Sequence, residues 1–552
     1  MYDVVIRGGT VFDGRGAEGT VADIAVSAGR VVEVGQVRGD ARRTIDASDR
    51  YVAPGFIDGH THLDAQIFWD PYAGSLAEHG VTSAVMGNCG FTLAPGTDDE
   101  ADLVLRSIER AEDMSRAAIQ RGVPWSWRTF PEYMDAVGAL PKALNIAAQI
   151  GHSAVRASVM GERAFTDTAS DEDVRQMRDA VHEAISAGAM GFSTSRSRAH
   201  LTKAGTPVAS RIASWDEVSA VVTGMGGGIF QLAPERPTDP AEMAGYQERL
   251  GRLAAASGRP VTFMVGGQKE QLDTIAGVLS RGGSAIGQVH VRGFENIFGF
   301  KTVLPFDRLP LWKSVRTLPL GEQRAKLGDP GLRRRLGDEA ASGDYGEAVG
   351  AEVRAPQYEQ IMIIDTSRPV ESSVADVALA RGMSPVDVMI ELALDSDFEQ
   401  LFRQPISEIS NELVLAGLRH PNTVVAASDS GAHISQILDS NIPTYFLSHW
   451  VRDEGAFRWA EAIRMLTGVP ASVWGLDGRG VLDVGAHADI VVFDPSTIAC
   501  AAPVVLDDLP DGGPRLAQSA VGIDATLVAG RLVTAEGRRT GATPGRFLRH
   551  GV

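Results

Sequence analysis

The chain has 552 residues, of which 44% are hydrophobic, and a formal net charge of -18 at pH 7. This length allows either one large barrel with additions or several smaller domains. The acidic balance argues against a nucleic-acid partner, since nucleic-acid-binding surfaces are basic. We expect a cytoplasmic protein without membrane contact, because no apolar run reaches about 18 residues and the first residues do not read as a signal peptide. Two cysteines are too few for a disulfide framework.

The sequence patterns of both chain ends are typical of small β-sheets. The first 54 residues contain short β-rich runs separated by glycine-containing turns, and residues 478–552 repeat this pattern. Such runs predict strands, and two terminal β segments can share one domain because chain termini often lie close together.

Between residues 55 and 477, strand-like runs alternate with helical ones. A clear example is a helical segment at 171–185, with Ser170 as its predicted N-cap, followed by a buried strand-like run at 189–193. This alternation indicates βα units around parallel strands. It breaks from about 298 to 418, and we interpret that stretch as an insertion or lid, since long excursions are commonly functional loops.

Two histidines one residue apart, His60 and His62, end a short apolar run that includes Pro-Gly-Phe-Ile-Asp-Gly. Residues i and i+2 of a strand point to the same side, so two neutral imidazoles can bind one divalent ion. A lone His-x-His is equally often ordinary surface or core histidine. Here the preceding run favours metal ligands, because it resembles the first barrel strand of the amidohydrolase superfamily.

The resemblance continues along the chain. Gly-Asn-Cys-Gly at 87–90, the segments 145–152 and 188–195, and Ala-Ser-Asp at 427–429 occur in the order seen in the D-aminoacylase branch, the N-acyl-D-amino-acid deacylases. This similarity implies an α/β fold: a (β/α)8 TIM barrel over residues 55–477, with a small β-sandwich built from both termini. It also implies one or two zinc ions and hydrolysis of an amide bond.

Two further residues gain a predicted role from this resemblance. Asp429 follows a β-branched run and resembles the carboxylate at the end of the last barrel strand, as a metal ligand or as the acid/base. Cys89 resembles the thiolate ligand that this branch uses instead of a carboxylated lysine. A buried free cysteine is otherwise a small apolar filler.

The chain departs from its relatives at the second metal position. They carry histidines after the fifth and sixth strands, where this chain has Gln231 and Gln268. Glutamine is a poor zinc ligand beside imidazole. We therefore expect one tightly bound zinc ion, held by His60, His62, Cys89 and Asp429.

The substrate contacts are less well defined. A tyrosine usual in the branch is replaced by Ser-Arg-Ser-Arg at 195–198, so Arg196 or Arg198 is a candidate to bind a substrate carboxylate. His152, His290 and His433 are candidates for the substrate pocket. For each of these five residues the alternative is an ordinary structural or loop position.

The leading functional prediction is a zinc-dependent hydrolase of a linear, small-molecule amide, with metal-activated water, Asp429 as acid/base and a selectivity different from that of N-acyl-D-amino-acid deacylases. Two alternatives stay open. One is hydrolysis of a cyclic amide or another C–N bond, since the fold does not fix the substrate. The other is a barrel that binds a ligand or partner without catalysis. A homo-oligomer is compatible with all three.

Overall fold

The structure, a computed structural model, describes residues 1–365, 371–407 and 409–551. Its strands in chain order are β1 Tyr2–Val11, β2 Thr20–Ser27, β3 Arg30–Gly35, β4 Ala41–Asp46, β5 Tyr51–Pro54, β6 Phe56–Asp58, β7 Val81–Met86, β8 Asn145–Ala148, β9 Ile150–Gly151, β10 Gly191–Ser195, β11 Ile229–Ala233, β12 Pro260–Met264, β13 Ser284–Val289, β14 Glu295–Gly299, β15 Met362–Ile363, β16 Leu401–Pro405, β17 Thr423–Val425, β18 Ile490–Phe493, β19 Ala499–Cys500, β20 Val504–Leu506, β21 Arg515–Ala517, β22 Ala520–Val521, β23 Ile523–Val528, β24 Arg531–Ala535 and β25 Arg538–Arg539.

The α-helices are α1 Ala101–Ile108, α2 Arg116–Gly122, α3 Phe130–Ala139, α4 His152–Met160, α5 Asp171–Ser186, α6 Ala209–Ile212, α7 Trp215–Gly224, α8 Pro240–Ser257, α9 Lys269–Leu279, α10 Pro310–Arg316, α11 Leu320–Leu327, α12 Pro330–Ser342, α13 Val374–Arg381, α14 Pro385–Asp395, α15 Asn411–Leu418, α16 Ile442–Tyr445, α17 Trp459–Leu466 and α18 Gly468–Trp474. The predicted cap of α5 is confirmed, because the Ser170 side chain accepts a hydrogen bond from the amide of Asp173. Within the described residues we find no helix with the length and apolarity of a membrane span.

The central strands pair in parallel and in chain order. One ladder runs β6-β7-β8 and another runs β9-β10-β11-β12-β13-β17, with only Gln149 between β8 and β9. This order of parallel strands and helices is consistent with a TIM-barrel-type α/β fold. The described residues contain no ladder between β6 and β17, although the His62 amide donates to the Ser430 carbonyl at 2.8 Å just beyond these two strands.

The central strands are buried because helices cover them. Every residue of β7, β10 and β11 is buried, and most of their apolar side chains belong to the largest hydrophobic core, while Val85 and Ile229 belong to a smaller one. Continuous burial on both faces is typical of parallel strands between layers. The polar residues that follow these strands therefore emerge at one end of the sheet, where a site can form.

The two chain ends form one sheet together. It has nine strands, in the order β25-β24-β23-β18-β5-β1-β2-β3, with β4 beside β1. The junction is antiparallel, with Ile490 of β18 opposite Pro54 of β5. The shared sheet agrees with the expectation from the sequence, whereas a two-layered sandwich stays a prediction.

The described residues of the irregular stretch after β13 form a unit of their own. It has a hydrophobic core of its own, which extends from Phe298 to Phe402 and includes the fully buried Trp312. The last residues of the predicted insertion do not belong to this separate core, since Val414 and Leu418 of α15 pack into the main core. Residues of this unit reach the cavity described below.

Candidate active site

Three of the predicted metal ligands converge. One donor atom each from His60, His62 and Cys89 lie within 4.8 Å of one another, and all three residues are buried. The Cys89 sulfur is 3.4 Å from His60 Nε2. Strand β6 ends at Asp58, so the histidines lie in the loop beyond it. The expectation that strand geometry aligns them was therefore wrong, although the two side chains do meet.

Asp429 lies beside the two histidines. Its Oδ1 atom is 3.2 Å from His60 Nε2 and 3.7 Å from His62 Nε2. Asp429, Cys89 and His433 all have positive φ angles, of 48°, 55° and 50°. Such angles are uncommon for residues other than glycine, and strained backbone of this kind clusters at functional sites.

Two glutamines hold the ligands in place. His60 Nδ1 is 2.6 Å from Gln288 Oε1. An amide oxygen can only accept, so this bond puts the proton on Nδ1 and leaves the Nε2 lone pair facing Cys89 and Asp429. The Cys89 amide donates to Gln231 Oε1 at 2.7 Å. Gln231 thus supports the Cys89 loop in the place where relatives were expected to carry a ligand.

The electrostatics of the group suit a divalent cation. Burial lowers the pKa of His60 and His62, which keeps both imidazoles neutral as metal ligands require. Burial raises the pKa of Cys89, and it raises that of Asp429 to about 8 with the help of the Asp439 charge. His62 Nδ1 and Asp429 Oδ1 are buried without a hydrogen-bond partner. A cation would compensate these acids, and nitrogen, sulfur and oxygen donors fit zinc.

Two residues of the site were missed by sequence reasoning. Glu112, after α1, is buried, and its Oε2 atom is 3.4 Å from His62 Nε2 and 3.7 Å from His433 Nε2. His200 lines the same cavity, and its Nδ1 is 2.7 Å from the Ser195 hydroxyl. His200 was detectable as a histidine on the loop that carries Arg198. No local signal distinguished Glu112.

The four predicted metal ligands, His60, His62, Cys89 and Asp429, are called the metal group here. This group opens into a cavity of about 450 Å³. Its walls contain His62, Cys89, Glu112, His200, Asp429 and His433, together with Arg198, Arg236 and Arg354. None of the three arginines has an ion pair within the described part of the chain. Arg354 belongs to the inserted unit, so that unit forms part of the cavity wall, while its action as a lid stays a prediction.

Other predicted contacts lie elsewhere. His152 is buried between Thr194 and Glu217, with both ring nitrogens within 2.9 Å of a partner. The guanidinium of Arg196 is 3.1 Å from Glu235 and donates to the Ala213 carbonyl. The structure thus does not bring these two side chains to the cavity, because internal partners already occupy their polar atoms.

His290 and His433 differ in their positions. His290 Nδ1 lies 2.9 Å from the Arg292 carbonyl, and its ring lines a small neighbouring cavity of about 60 Å³ together with Gln268. Gln268 is therefore not beside the metal group. His433 lines the main cavity, and a contact with substrate stays a prediction.

Comparison with known proteins finds relatives over the whole length of the chain. A D-aminoacylase from Alcaligenes xylosoxydans xylosoxydans is 29% identical and covers 99% of this chain and 97% of its own length. An N-acyl-D-aspartate deacylase of that organism is 28% identical, over 100% and 95%. A solved D-aminoacylase, described as having a binuclear metal centre, has a TM-score of 0.66 at 25% identity, with both chains fully covered.

The family assignment rests on a wider match. The model of the Amidohydrolase family matches residues 43–287 and 339–534, which is most of the chain. These two segments contain all four predicted metal ligands and leave out the first part of the inserted unit. The chain therefore belongs to the amidohydrolase family, as a metal-dependent hydrolase of the D-aminoacylase branch.

Proposed function

We propose that the protein hydrolyses the amide bond of a negatively charged N-acyl amino acid, with one zinc ion held by His60, His62, Cys89 and Asp429. The observation that carries this proposal is the convergence of three donor atoms within 4.8 Å, with Asp429 3.2 Å from His60. The adjoining cavity is lined by three arginines that form no ion pair among the described residues. Two relatives are a D-aminoacylase and an N-acyl-D-aspartate deacylase, and their names support this substrate class.

The side chains have separate tasks in this reaction. A bound zinc ion would lower the pKa of a coordinated water and polarise the amide carbonyl. Asp429 takes a proton from the attacking water and delivers it to the leaving nitrogen as the C–N bond breaks. Gln288 keeps His60 in the tautomer that binds metal, and Gln231 holds the Cys89 loop.

The arginines favour an anionic substrate. Desolvation lowers the pKa of the Arg236 and Arg354 guanidinium groups, and neither has an ion-pair partner among the described residues. A substrate carboxylate would supply that partner, and a guanidinium binds it with two parallel hydrogen bonds. Arg196 is less suited to the task because Glu235 already pairs with it.

The selectivity should differ from that of the relatives. The site lacks histidines at Gln231 and Gln268 and presents His200 and Arg198 on the loop where a tyrosine was expected. Purified protein should be assayed against N-acyl-D-amino acids, their L enantiomers, their neutral amides and cyclic amides, with product masses measured. We expect turnover of a charged linear substrate. Turnover confined to a cyclic amide, or equal rates for an acid and its neutral amide, would contradict the proposal.

A further inference from the structure

Glu112 is buried, and no donor among the described residues forms a hydrogen bond with its carboxylate. Only 2% of its side chain is exposed, and its Oε2 atom lies 3.4 Å from His62 Nε2 and 3.7 Å from His433 Nε2. A carboxylate taken out of water costs several kcal/mol unless a charge or donors compensate it. A cation next to this side chain would supply that compensation.

We propose that Glu112 is itself a donor to the metal ion, in addition to the ligands inferred from the family motif. The proposal rests on the proposed metal centre and extends it to a residue outside the central strands. Neighbouring donor atoms about 2.0–2.1 Å from one zinc ion lie roughly 2.9–3.6 Å apart in four- or five-coordinate geometry. Glu112 Oε2 is 3.4 Å from His62 Nε2, which matches the 3.2 Å between His60 Nε2 and Asp429 Oδ1.

The backbone around Glu112 is fixed against the loop that carries Asp429. The His433 amide donates to the Glu112 carbonyl at 2.6 Å, and the Ser435 hydroxyl donates to Asp113 at 2.5 Å. Asp113 and His433 both have positive φ angles, of 48° and 50°. Two hydrogen bonds and two strained residues thus hold the turn after α1 beside the metal group, which keeps the Glu112 carboxylate in position without a bond to its oxygens.

This assignment also accounts for the lost histidines. Gln231 and Gln268 cannot replace imidazole as zinc ligands, and Gln268 lies in a neighbouring cavity. Glu112 lies beside His62 and would give the cation a carboxylate ligand, which Gln231 and Gln268 cannot do. His433 Nε2, 3.7 Å from the same oxygen, is placed to position the carboxylate.

Zinc affinity measured by competition with a chelator tests the proposal directly. In metal-free protein reloaded with zinc, Glu112→Gln should raise the Kd at least about tenfold, a loss typical of weakened metal sites. Glu109→Gln is the matched control, since Glu109 is one turn earlier and pairs with Arg116 and Lys203 instead. Its Kd should stay within about twofold of the parent value.

Cobalt(II) absorption gives a readout independent of zinc affinity and activity. If Glu112 is a ligand, Glu112→Asp, which keeps the charge and withdraws the oxygen, should change the visible spectrum of the cobalt-loaded protein, whereas Glu109→Gln should not. An unchanged spectrum and an unchanged zinc Kd in the Glu112 variants, together with loss of zinc in His60→Ala, would overturn the role of Glu112 and leave the proposed function intact. Full zinc binding by His60→Ala would instead refute the metal centre.

Discussion

Replacing Gln288 tests how the chain prepares His60 for metal binding. Gln288 Oε1 is 2.6 Å from His60 Nδ1 and fixes the proton there. In Gln288→Leu the ring loses this acceptor, so the metal-free protein should favour the other tautomer, with its proton on Nε2 and directed at Asp429, 3.2 Å away. Zinc must then displace that proton and leave a buried Nδ1–H unpaired.

The cost can be estimated from general behaviour of metal sites. Loss of an outer hydrogen bond to a ligating histidine typically weakens metal binding by about 10- to 100-fold, or about 1.4–2.8 kcal/mol. We expect this increase in the zinc Kd of Gln288→Leu, measured by chelator competition. Gln268→Leu makes the same chemical change in the neighbouring cavity and should bind zinc like the parent. A Gln288→Leu Kd within twofold of the parent, or equal losses in both variants, would refute the tautomer argument.

Three further changes address catalysis, ligation and substrate binding. Asp429→Asn keeps the size of the side chain but cannot carry the proton, so turnover should fall by about two or more orders of magnitude; near-parental turnover would remove Asp429 from proton transfer. Cys89→Ala should weaken zinc binding while the circular dichroism spectrum stays native, because one buried sulfur contributes little of the total stability; unchanged zinc affinity would exclude the thiolate as a ligand. Arg198→Met should raise KM more than it lowers kcat, since the contact is made in ground and transition states alike, whereas Arg196→Met should change KM little because Glu235 already pairs with that arginine. The reverse order of effects would place the carboxylate contact at Arg196.

Residues in local motifs were the ones that sequence reasoning could place. His60, His62, Cys89 and Asp429 each follow a short buried run, and such runs end at the same side of a parallel sheet. Their convergence therefore follows from strand order. His60 and His62 lie close together as predicted, but they lie in the loop beyond β6 and not on the strand.

Residues whose roles depend on distant partners could not be assigned in this way. His152 follows a strand like the metal ligands, yet Glu217, 65 positions later, binds its ring at 2.9 Å. Glu112 resembles any acidic residue near a helix end, and it reaches the site because the turn after α1 is hydrogen-bonded to the loop after Asp429. Gln288 becomes informative only once His60 is seen 2.6 Å away.

The central claim is that His60, His62, Cys89 and Asp429 hold one tightly bound zinc ion on which activity depends. Elemental analysis of purified protein, with amide turnover measured on the same samples, tests it most directly. We predict one zinc per chain in the parent protein and neither zinc nor turnover in His62→Ala. Two equally tight zinc ions per chain, or full turnover by metal-free protein, would contradict the account.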